Sequence, residues 1–174
     1  LSDHAKYGEV FGLQRSLKQG LEWLVCYLPV APPRRINAYD SNKIVSVFTD
    51  GVVDAEKVTV GAILFVEGAL PEVFGAVVPR DIERRWRSSG EEQVVAQAEL
   101  LPVLLASIVW KTKLAGRYVI WWMDNDGSRQ GLVNGYSRSE RSASLIDDIL
   151  LTMSYSCVYS WYARVPTDCN IADL

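Results

Sequence analysis

The sequence is poor in the residues that build disulfide or zinc scaffolds, and it has no long apolar run. Its three cysteines are odd in number and lack paired metal-ligand spacing, so they do not favour a disulfide framework or a zinc ribbon. They predict a reducing, intracellular compartment, either cytoplasmic or nuclear. The longest nearly uncharged apolar stretch, residues 100–110, is shorter than the ~20 residues of a membrane-spanning helix. No signal-peptide pattern opens the chain, so we expect a soluble protein without a membrane partner.

An excess of positive charge is also lacking, since 18 Lys and Arg residues against 21 Asp and Glu residues give a formal net charge of −3. This balance argues mildly against a protein that binds nucleic acid through bulk charge. The arginines are nevertheless clustered, and one cluster surrounds a tryptophan; it comprises Arg84, Arg85, Trp86 and Arg87. An aromatic ring among cations favours contacts with phosphates or bases. The alternative is a solvated loop in which Asp81 and Glu83 are local partners of the arginines.

The composition of the chain changes near Asp40. Apolar residues at helical spacing predict an amphipathic helix over about residues 8–28, and a linker rich in proline and arginine follows it. We therefore divide the chain into residues 1–40, an N-terminal helix with its linker, and residues 41–174, a separate domain.

Apolar and alternating runs in the second region predict strands, and capping signals between them predict helices. The predicted strands are Ile44–Asp50, Val58–Glu67, Val73–Pro79, Arg117–Met123 and Cys157–Val165. Short turns between the first three strands predict an antiparallel meander. The predicted helices run from a capping box at Ser89 to about Thr112 with a bend at Pro102, around Ser128–Asn134, and from about Ala143 to Met153 after a cap at Ser139 or Ser142. These elements predict an α/β fold.

Four acidic residues lie at the ends of these elements or inside them, where a lone carboxylate is costly. They are Asp50, Glu99, Asp124 and Asp173. Converging carboxylates suit a hard divalent ion such as Mg²⁺, so the sequence predicts a metal site. Glu99 supports this prediction best, because its neighbours at helical spacing are apolar rather than charged.

Each of the other three acids has an alternative role when it is taken alone. Asp50 and Gly51 form a pair that is common in hairpin turns. Asp124 opens a polar segment that could be only a turn. Asp173 lies at the predicted start of a last helix, where it could simply complement the helix dipole.

The order of the acids along the predicted elements resembles that of the ribonuclease H family of nucleases. The resemblance covers roughly residues 44–174, and its motifs are Phe48-Thr49-Asp50-Gly51, Gln97-Ala98-Glu99-Leu100-Leu101, Met123-Asp124-Asn125-Asp126-Gly127-Ser128 and Val165-Pro166-Thr167-Asp168-Cys169-Asn170-Ile171-Ala172-Asp173. The last motif is similar to the ribonuclease H ends of retroelement reverse transcriptases, in which a Val-Pro, an Asn and an Ala-Asp recur. The N-terminal helix and linker are similar to the segment that joins polymerase and nuclease in such polyproteins.

The resemblance implies a ribonuclease H-like fold, with a five-stranded mixed sheet of three antiparallel strands and parallel additions, flanked by helices on both faces. It implies an endonuclease that hydrolyses the RNA strand of RNA–DNA hybrids, as part of a reverse transcriptase or its descendant, with a polymerase domain or other subunits as partners. The implied cofactors are two Mg²⁺ or Mn²⁺ ions about 4 Å apart. Asp50 would bridge both ions, Glu99 and Asp124 would complete one, and Asp173 would complete the other.

Polar residues follow Asp124 much as they do in the family, and they are expected to contact the hybrid's backbone or 2′-hydroxyls. They are Asn125, Ser128, Arg129 and Gln130. The loop histidine of many cellular members has no counterpart, because the only histidine is His4. The sequence ends at Leu174, so we expect the final helix to be truncated. Two alternatives stay open: a catalytically inactive structural or interaction subunit, and a different nuclease, resolvase-like or integrase-like, on the same fold.

Overall fold

A computed structural model describes residues 15–31, 44–87 and 94–173. The chain divides into two compact units, Leu1–Pro33 and Arg34–Leu174. The predicted boundary near Asp40 lies outside the described residues. None of the helices within the described ranges has both the length and the apolar composition needed to cross a membrane.

The first unit contains one described helix, α1, over Arg15–Tyr27. The part of the predicted helix before Arg15 lies outside the described residues. Trp23 and Tyr27 lie one turn apart on α1 and stack with ring centroids 4.6 Å apart. Several large apolar side chains of α1 are exposed, and they include Leu17, Leu21, Leu24 and Val25.

The second unit is built on a five-stranded sheet with the order β3-β2-β1-β4-β5. Its strands are β1 Ile44–Val53, β2 Val58–Val66, β3 Glu72–Val77, β4 Tyr118–Met123 and β5 Tyr159–Arg164. The first three strands pair antiparallel, whereas β4 pairs parallel with both β1 and β5. The predicted mixed sheet, with an antiparallel meander and two parallel additions, is therefore confirmed.

The helices of this unit are α2 Arg80–Arg87, α3 Val95–Val109, α4 Lys111–Leu114, α5 Asp126–Asn134 and α6 Glu140–Tyr155. The helix α3 packs on β1 and β2, and α6 packs against α3. Because α3 lies between the sheet and α6, its residues are apolar nearly all round, as a buried helix requires. Pro102 lies inside α3, as predicted.

The core forms where one side of the sheet meets α3 and α6. Its largest fully buried side chains include Trp121 of β4, Leu64 of β2 and Leu100 of α3. Side chains alternate between the two faces of a strand, so Val45 and Val47 of β1 point into this core together. Burying such side chains stabilises the fold by about 1.5–3 kcal/mol each.

Two local predictions need correction, and a third stays open. Asp50 and Gly51 do not form a hairpin turn, because β1 continues to Val53 and pairs Asp50 with Gly61 of β2. The arginine-rich segment is the helix α2 rather than a loop. A 3-10 turn at Thr167–Cys169 leads into the turn before Asp173, and the helix predicted to begin near Asp173 stays a prediction, because the described residues end at residue 173.

The predicted helix caps have different outcomes. Ser139 caps α6 by accepting a hydrogen bond from the backbone N–H of Ser142, so one of the two predicted caps is confirmed. The capping box at Ser89 lies outside the described residues, and α3 begins at Val95, after Val94.

Candidate metal centre

The parallel pairing of β1 with β4 brings two of the predicted acids side by side. Phe48 of β1 is paired with Trp122 of β4, and their rings stack with centroids 5.6 Å apart. Asp50 and Asp124 each lie two residues beyond this pair. Parallel strands in register keep such positions together, so both carboxylates lie at the same end of the sheet.

Glu99 joins them because α3 crosses β1 unusually closely. A Cβ atom on Gly51 would lie 2.2 Å from the carbonyl oxygen of Ala98 and 2.8 Å from the backbone nitrogen of Glu99. Only glycine tolerates this close approach. The approach places the backbone of Glu99 directly beside Gly51, the residue that follows Asp50. The motif Asp50-Gly51 therefore supplies both an acid and the space for the helix that carries the second acid.

Asp50, Glu99 and Asp124 form the cluster that we call the carboxylate trio. Each residue offers one carboxylate oxygen, and these three oxygens lie within 4.8 Å of one another. Asp50 is 7% exposed and Glu99 is 6% exposed. Within the described residues, Oε2 of Glu99 and Oδ1 of Asp124 are buried and accept no hydrogen bond. The trio therefore leaves buried oxygen ligands unsatisfied.

Burial and mutual repulsion raise the pKa values of two members of the trio. Burial is the main cause that raises the pKa of Glu99 to about 8, and the charges of Asp124 and Asp50 add to it. Burial likewise raises the pKa of Asp50 to about 6, with further contributions from the charges of Asp124 and Asp173. Such shifts mean that the ionised trio is costly without a compensating cation.

The chemistry of the trio fits a hard divalent ion. Carboxylate oxygens are the ligands that Mg²⁺ and Mn²⁺ prefer, and the cluster contains neither the thiolate nor the imidazole ligands that favour softer metals. A bound cation would both satisfy the unpaired oxygens and offset the repulsion. The trio is thus a candidate metal centre.

Asp173 lies outside the trio, although it is near enough for its charge to raise the pKa of Asp50. Its side chain is exposed, and its backbone N–H donates to the carbonyl of Asn170 at 3.1 Å. The structure therefore brings three of the four predicted acids together and leaves the fourth beside them.

The sequence analysis did not single out Asn170 as a site residue. This side chain is 5% exposed, and its Nδ2 donates to Oδ1 of Asp50 at 3.3 Å. The sequence signal for it was its place in the last motif, where an asparagine recurs in the resembling domains.

The polar residues after Asp124 are mostly engaged within the protein. Asn125 caps α5 by accepting from the backbone N–H of Ser128 at 2.9 Å, and Ser128 is itself buried. Nε of Arg129 donates to Oδ1 of Asp126 at 2.9 Å. Gln130 is exposed beside an open cavity of about 370 Å³ between α3, α5 and α6. The structure thus gives Asn125 and Ser128 folding roles that sequence reasoning did not anticipate.

The arginine cluster lies on α2, and its tryptophan does not face solvent. Trp86 is 6% exposed and packs in an apolar cluster with residues such as Val58 and Ala98. Its ring is therefore not available for stacking on a base, and its predicted contact with nucleic acid stays a prediction.

The arginines themselves are exposed on α2. Arg85 pairs with Asp81 at 2.8 Å and Arg87 pairs with Glu83 at 2.9 Å, each one turn apart. Nε of Arg84 donates to the carbonyl of Arg80. Asp81 and Glu83 are therefore local partners of the arginines, as the alternative interpretation expected. Because α2 contains four arginines and only these two acids, it keeps a net positive charge.

No protein-family model matches the sequence, and no curated protein matches it. Solved structures do match. A ribonuclease H1 from the halophilic archaeon Halobacterium salinarum superposes with a TM-score of 0.58 and 14% identity, covering 75% of this chain and 92% of that chain. A ribonuclease H1 isolated from compost by a metagenomic approach superposes with a TM-score of 0.59 and 15% identity, covering 74% of this chain and 88% of that chain. The chain has the ribonuclease H fold.

A third structure with the ribonuclease H fold is the N-terminal ribonuclease H domain of a Mycobacterium tuberculosis protein, with a TM-score of 0.54 and 13% identity over 75% of this chain and 88% of that chain. The compost enzyme was also solved in complex with an RNA/DNA hybrid. That structure matches with a TM-score of 0.54 and 12% identity, covering 74% of this chain and 91% of that chain. Identities this low establish the ribonuclease H fold and leave activity to be argued from the site.

Proposed function

We propose that this protein is a metal-dependent endonuclease that hydrolyses the RNA strand of RNA–DNA hybrids. The observation that carries this proposal is the carboxylate trio of a ribonuclease H fold, in which Oε2 of Glu99 and Oδ1 of Asp124 are buried without a hydrogen-bond partner. A structure of the same fold was solved with an RNA/DNA hybrid, which supports the choice of substrate.

Asp50, Glu99 and Asp124 are the proposed ligands of Mg²⁺ or Mn²⁺, and Asp173 is the proposed fourth acid of a two-ion site. Divalent ions bound there would activate a water molecule and stabilise the leaving oxygen of a phosphodiester. The protein's own contribution is to hold negative charge at the end of β1 and β4. The cost of that charge is visible in the raised pKa values of Asp50 and Glu99.

Two groups at the surface are proposed to contact the hybrid. One comprises Arg129 and Gln130 of α5, which follow Asp124 and offer hydrogen-bond donors suited to phosphates and 2′-hydroxyls. The other comprises Arg84, Arg85 and Arg87 of α2, which offer positive charge. Asn125 and Ser128 stay proposed contacts of the hybrid's backbone or 2′-hydroxyls, and both side chains also bond within the protein.

We further propose that the domain derives from a retroelement reverse transcriptase. The support is the last sequence motif, together with a first unit whose exposed apolar helix resembles a connection between polymerase and nuclease. A variant that lacks residues 1–40 tests the connection role. It should keep hydrolytic activity on hybrids and lose binding to a polymerase partner.

One observation favours a second candidate function, a catalytically inactive interaction subunit. The carboxylate of Asp173 does not belong to the carboxylate trio, although the two-ion mechanism needs a fourth acid. In this case the trio would bind at most a structural ion, and the protein would cut no substrate.

A cleavage assay on three labelled substrates distinguishes these functions. The substrates are an RNA–DNA hybrid, a single-stranded RNA and a branched DNA, each with Mg²⁺, Mn²⁺ or EDTA. The proposed function predicts cuts only in the RNA of the hybrid and only with metal. Asp124→Asn is the matched inactive control, and Ser107→Ala, which removes a partly buried hydrogen bond to the carbonyl of Leu104, is the active control. Cleavage of branched DNA instead would indicate a resolvase-like nuclease, and no cleavage by a folded, Mn²⁺-bound protein would indicate the interaction subunit.

A further inference from the structure

Asn170 lies where the segment after β5 passes over β1. Its side-chain amide makes three hydrogen bonds although only 5% of the residue is exposed. Nδ2 donates to the carbonyl of Thr49 at 3.2 Å and to Oδ1 of Asp50 at 3.3 Å. Its Oδ1 accepts from the backbone N–H of Ala172 at 3.3 Å. One side chain thus joins the strand that carries Asp50 to the turn that carries Asp173.

We propose that Asn170 is a positioning residue, which orients the carboxylate of Asp50 for metal and holds Asp173 beside it. This inference rests on the proposed metal-dependent function. A hydrogen bond to one carboxylate oxygen restricts rotation of that carboxylate, and the simultaneous bond to Thr49 anchors the amide to the strand backbone. Residues that bond to metal ligands in this way commonly set the affinity for the ion.

The turn at residues 170–173 is held by a hydrogen bond within it and by packing against the sheet. The backbone N–H of Asp173 donates to the carbonyl of Asn170, and Ala172 is 2% exposed. The carbonyl oxygen of Ala172 lies 3.5 Å from the position that a Cβ atom on Gly61 would take. Asp50 is paired with Gly61, so the turn lies over the sheet next to Asp50. The amide of Asn170 is what connects this turn to the trio.

Asn170 acts through Asp50 and would not itself be a ligand. An amide whose donors and acceptor are all engaged within the protein has little left for an ion. Its loss should therefore weaken metal binding and slow catalysis without removing any carboxylate. A purely structural asparagine would instead affect only the stability of the fold.

The test compares wild type, Asn170→Leu, Asn170→Ala and the control Ser107→Ala, whose lost hydrogen bond lies away from the trio. Mn²⁺ affinity is measured by titration calorimetry at temperatures where circular dichroism shows each protein folded. Both Asn170 variants should bind Mn²⁺ about 10- to 100-fold more weakly, while the control binds as wild type does. On hybrid substrate, kcat should fall and KM should stay unchanged.

The possible outcomes separate this inference from the proposed function. Equal Mn²⁺ affinity in wild type and both Asn170 variants would overturn the positioning role and leave the proposed function standing. A wild-type protein that binds no Mn²⁺ would overturn the proposed metal site and the positioning role with it. Should both variants fail to fold, a crystal structure of the Mn²⁺-soaked wild type decides. The role predicts that Nδ2 of Asn170 stays within hydrogen-bond distance of Asp50, and an amide turned away from Asp50 would refute it.

Discussion

At the scale of single residues, the carboxylates of Asp50, Glu99 and Asp124 are near enough to repel one another. Their neighbours within the described residues offer little compensation, apart from the backbone of Gly51 and the amide of Asn170 at Asp50. A site selected only for stability would not retain such a cluster, because each ionised member raises the free energy of the folded protein. The cluster therefore carries a cost that binding an ion would remove.

Replacing one acid of the trio by its amide should separate activity from stability. Asp50→Asn and Asp124→Asn should each lower hybrid cleavage by at least about 100-fold, since a ligand supplies several kcal/mol of transition-state stabilisation. In EDTA the same variants should melt at or above the temperature of the wild type, because a repulsion is relieved. Cleavage gels and thermal melts check the two effects. Variants that melt well below the wild type in EDTA would show that the acids are structural partners.

The raised pKa values predict how stability depends on pH in EDTA. The pKa of Glu99 rises from 4.5 to about 8 on folding. A carboxyl group with a raised pKa holds its proton more tightly in the folded state, so its stabilising effect is complete at low pH and is lost as pH rises. The free energy of unfolding should therefore fall between about pH 4.5 and 8. Asp50 should add to this fall between pH 3.8 and about 6.

Glu99→Gln is the matched variant for this dependence, because glutamine keeps the shape of the side chain and cannot ionise. Urea denaturation at a series of pH values should show a flatter curve for Glu99→Gln than for wild type between pH 6 and about 8, because the pKa of Glu99 is raised to about 8 and that of Asp50 only to about 6. Identical curves would mean that Glu99 ionises in the folded state as it does in the unfolded chain.

At the scale of elements, the approach of α3 to β1 decides whether the trio forms. The contact is between backbones, at Gly51 and Ala98, so it cannot be relieved by a side-chain rotation. It also lies next to two members of the trio, because Asp50 precedes Gly51 and Glu99 follows Ala98. The strand and the helix are therefore fixed at the point where their acids must meet.

Gly51→Ala should consequently destabilise the protein by at least about 1–3 kcal/mol, the usual cost of overpacking. It should also weaken Mn²⁺ binding, since α3 would move and take Glu99 with it. Gly75→Ala is the matched control, because a Cβ atom there meets nothing within 4 Å. Its effect should stay within about 0.5 kcal/mol. Chemical denaturation of the two variants measures the difference, and equal effects would show that the contact at Gly51 yields readily.

The arginines of α2 should contribute to the salt dependence of hybrid binding. Replacing Arg84, Arg85 and Arg87 with alanine should flatten the salt dependence of hybrid binding, by about 0.9 in the slope of log affinity against log salt for each lost phosphate contact. Lysine at the same positions is the control, because it keeps the charge and should keep most of the slope. Binding measured over a range of salt concentrations tests this. An unchanged slope in the alanine variant would make α2 a solvated helix.

Elements with a strong local pattern were predictable from sequence, and features set by tertiary contacts were not. The apolar runs that predict β1 and β2 and the cap at Ser139 are local, and the structure confirms both strands and the cap. The segment Arg80–Arg87 is predicted as a loop because most of its residues are charged, and the sequence does not show that Trp86 packs into an apolar cluster. Asp50-Gly51 suits a turn by itself, and only the approach of α3 explains a glycine within the strand.

The same division applies to the site. Acids of the trio stand out in sequence because they interrupt apolar elements, and the structure brings them together. The role of Asn170 could not be derived from local pattern, since its partners Thr49 and Asp50 lie at the other end of the chain. The place of Asp173 depends on the turn at residues 170–173, which Asn170 links to the distant strand β1.

At the scale of the whole molecule, ion binding should be coupled to folding. The trio draws its members from β1, α3 and the end of β4, so it exists only when the sheet and α3 are assembled. An ion that binds the folded state and not the unfolded chain stabilises the fold by about 2.7 kcal/mol at 100 times its dissociation constant. The ion therefore acts on the stability of the entire second unit.

Saturating Mn²⁺ should accordingly raise the melting temperature of the wild type by about 5–10 °C. Asp124→Asn should lose most of this shift, because it removes one of the ligands. Calorimetric melts with Mn²⁺ and with EDTA provide the measurement, and Ser107→Ala serves as a control that should show the full shift. A shift of the same size in Asp124→Asn would place the bound ion somewhere other than the trio.

The stack of Phe48 on Trp122 gives the protein a built-in optical reporter. The two rings come from β1 and β4, each two residues before an acid of the trio, so they are stacked only when these strands are in register. Paramagnetic Mn²⁺ held at the end of those strands would quench the emission of a neighbouring indole, whereas diamagnetic Mg²⁺ would not. Comparing the fluorescence of the wild type and of Trp122→Phe with each ion would therefore report how far the metal site is occupied, without any substrate.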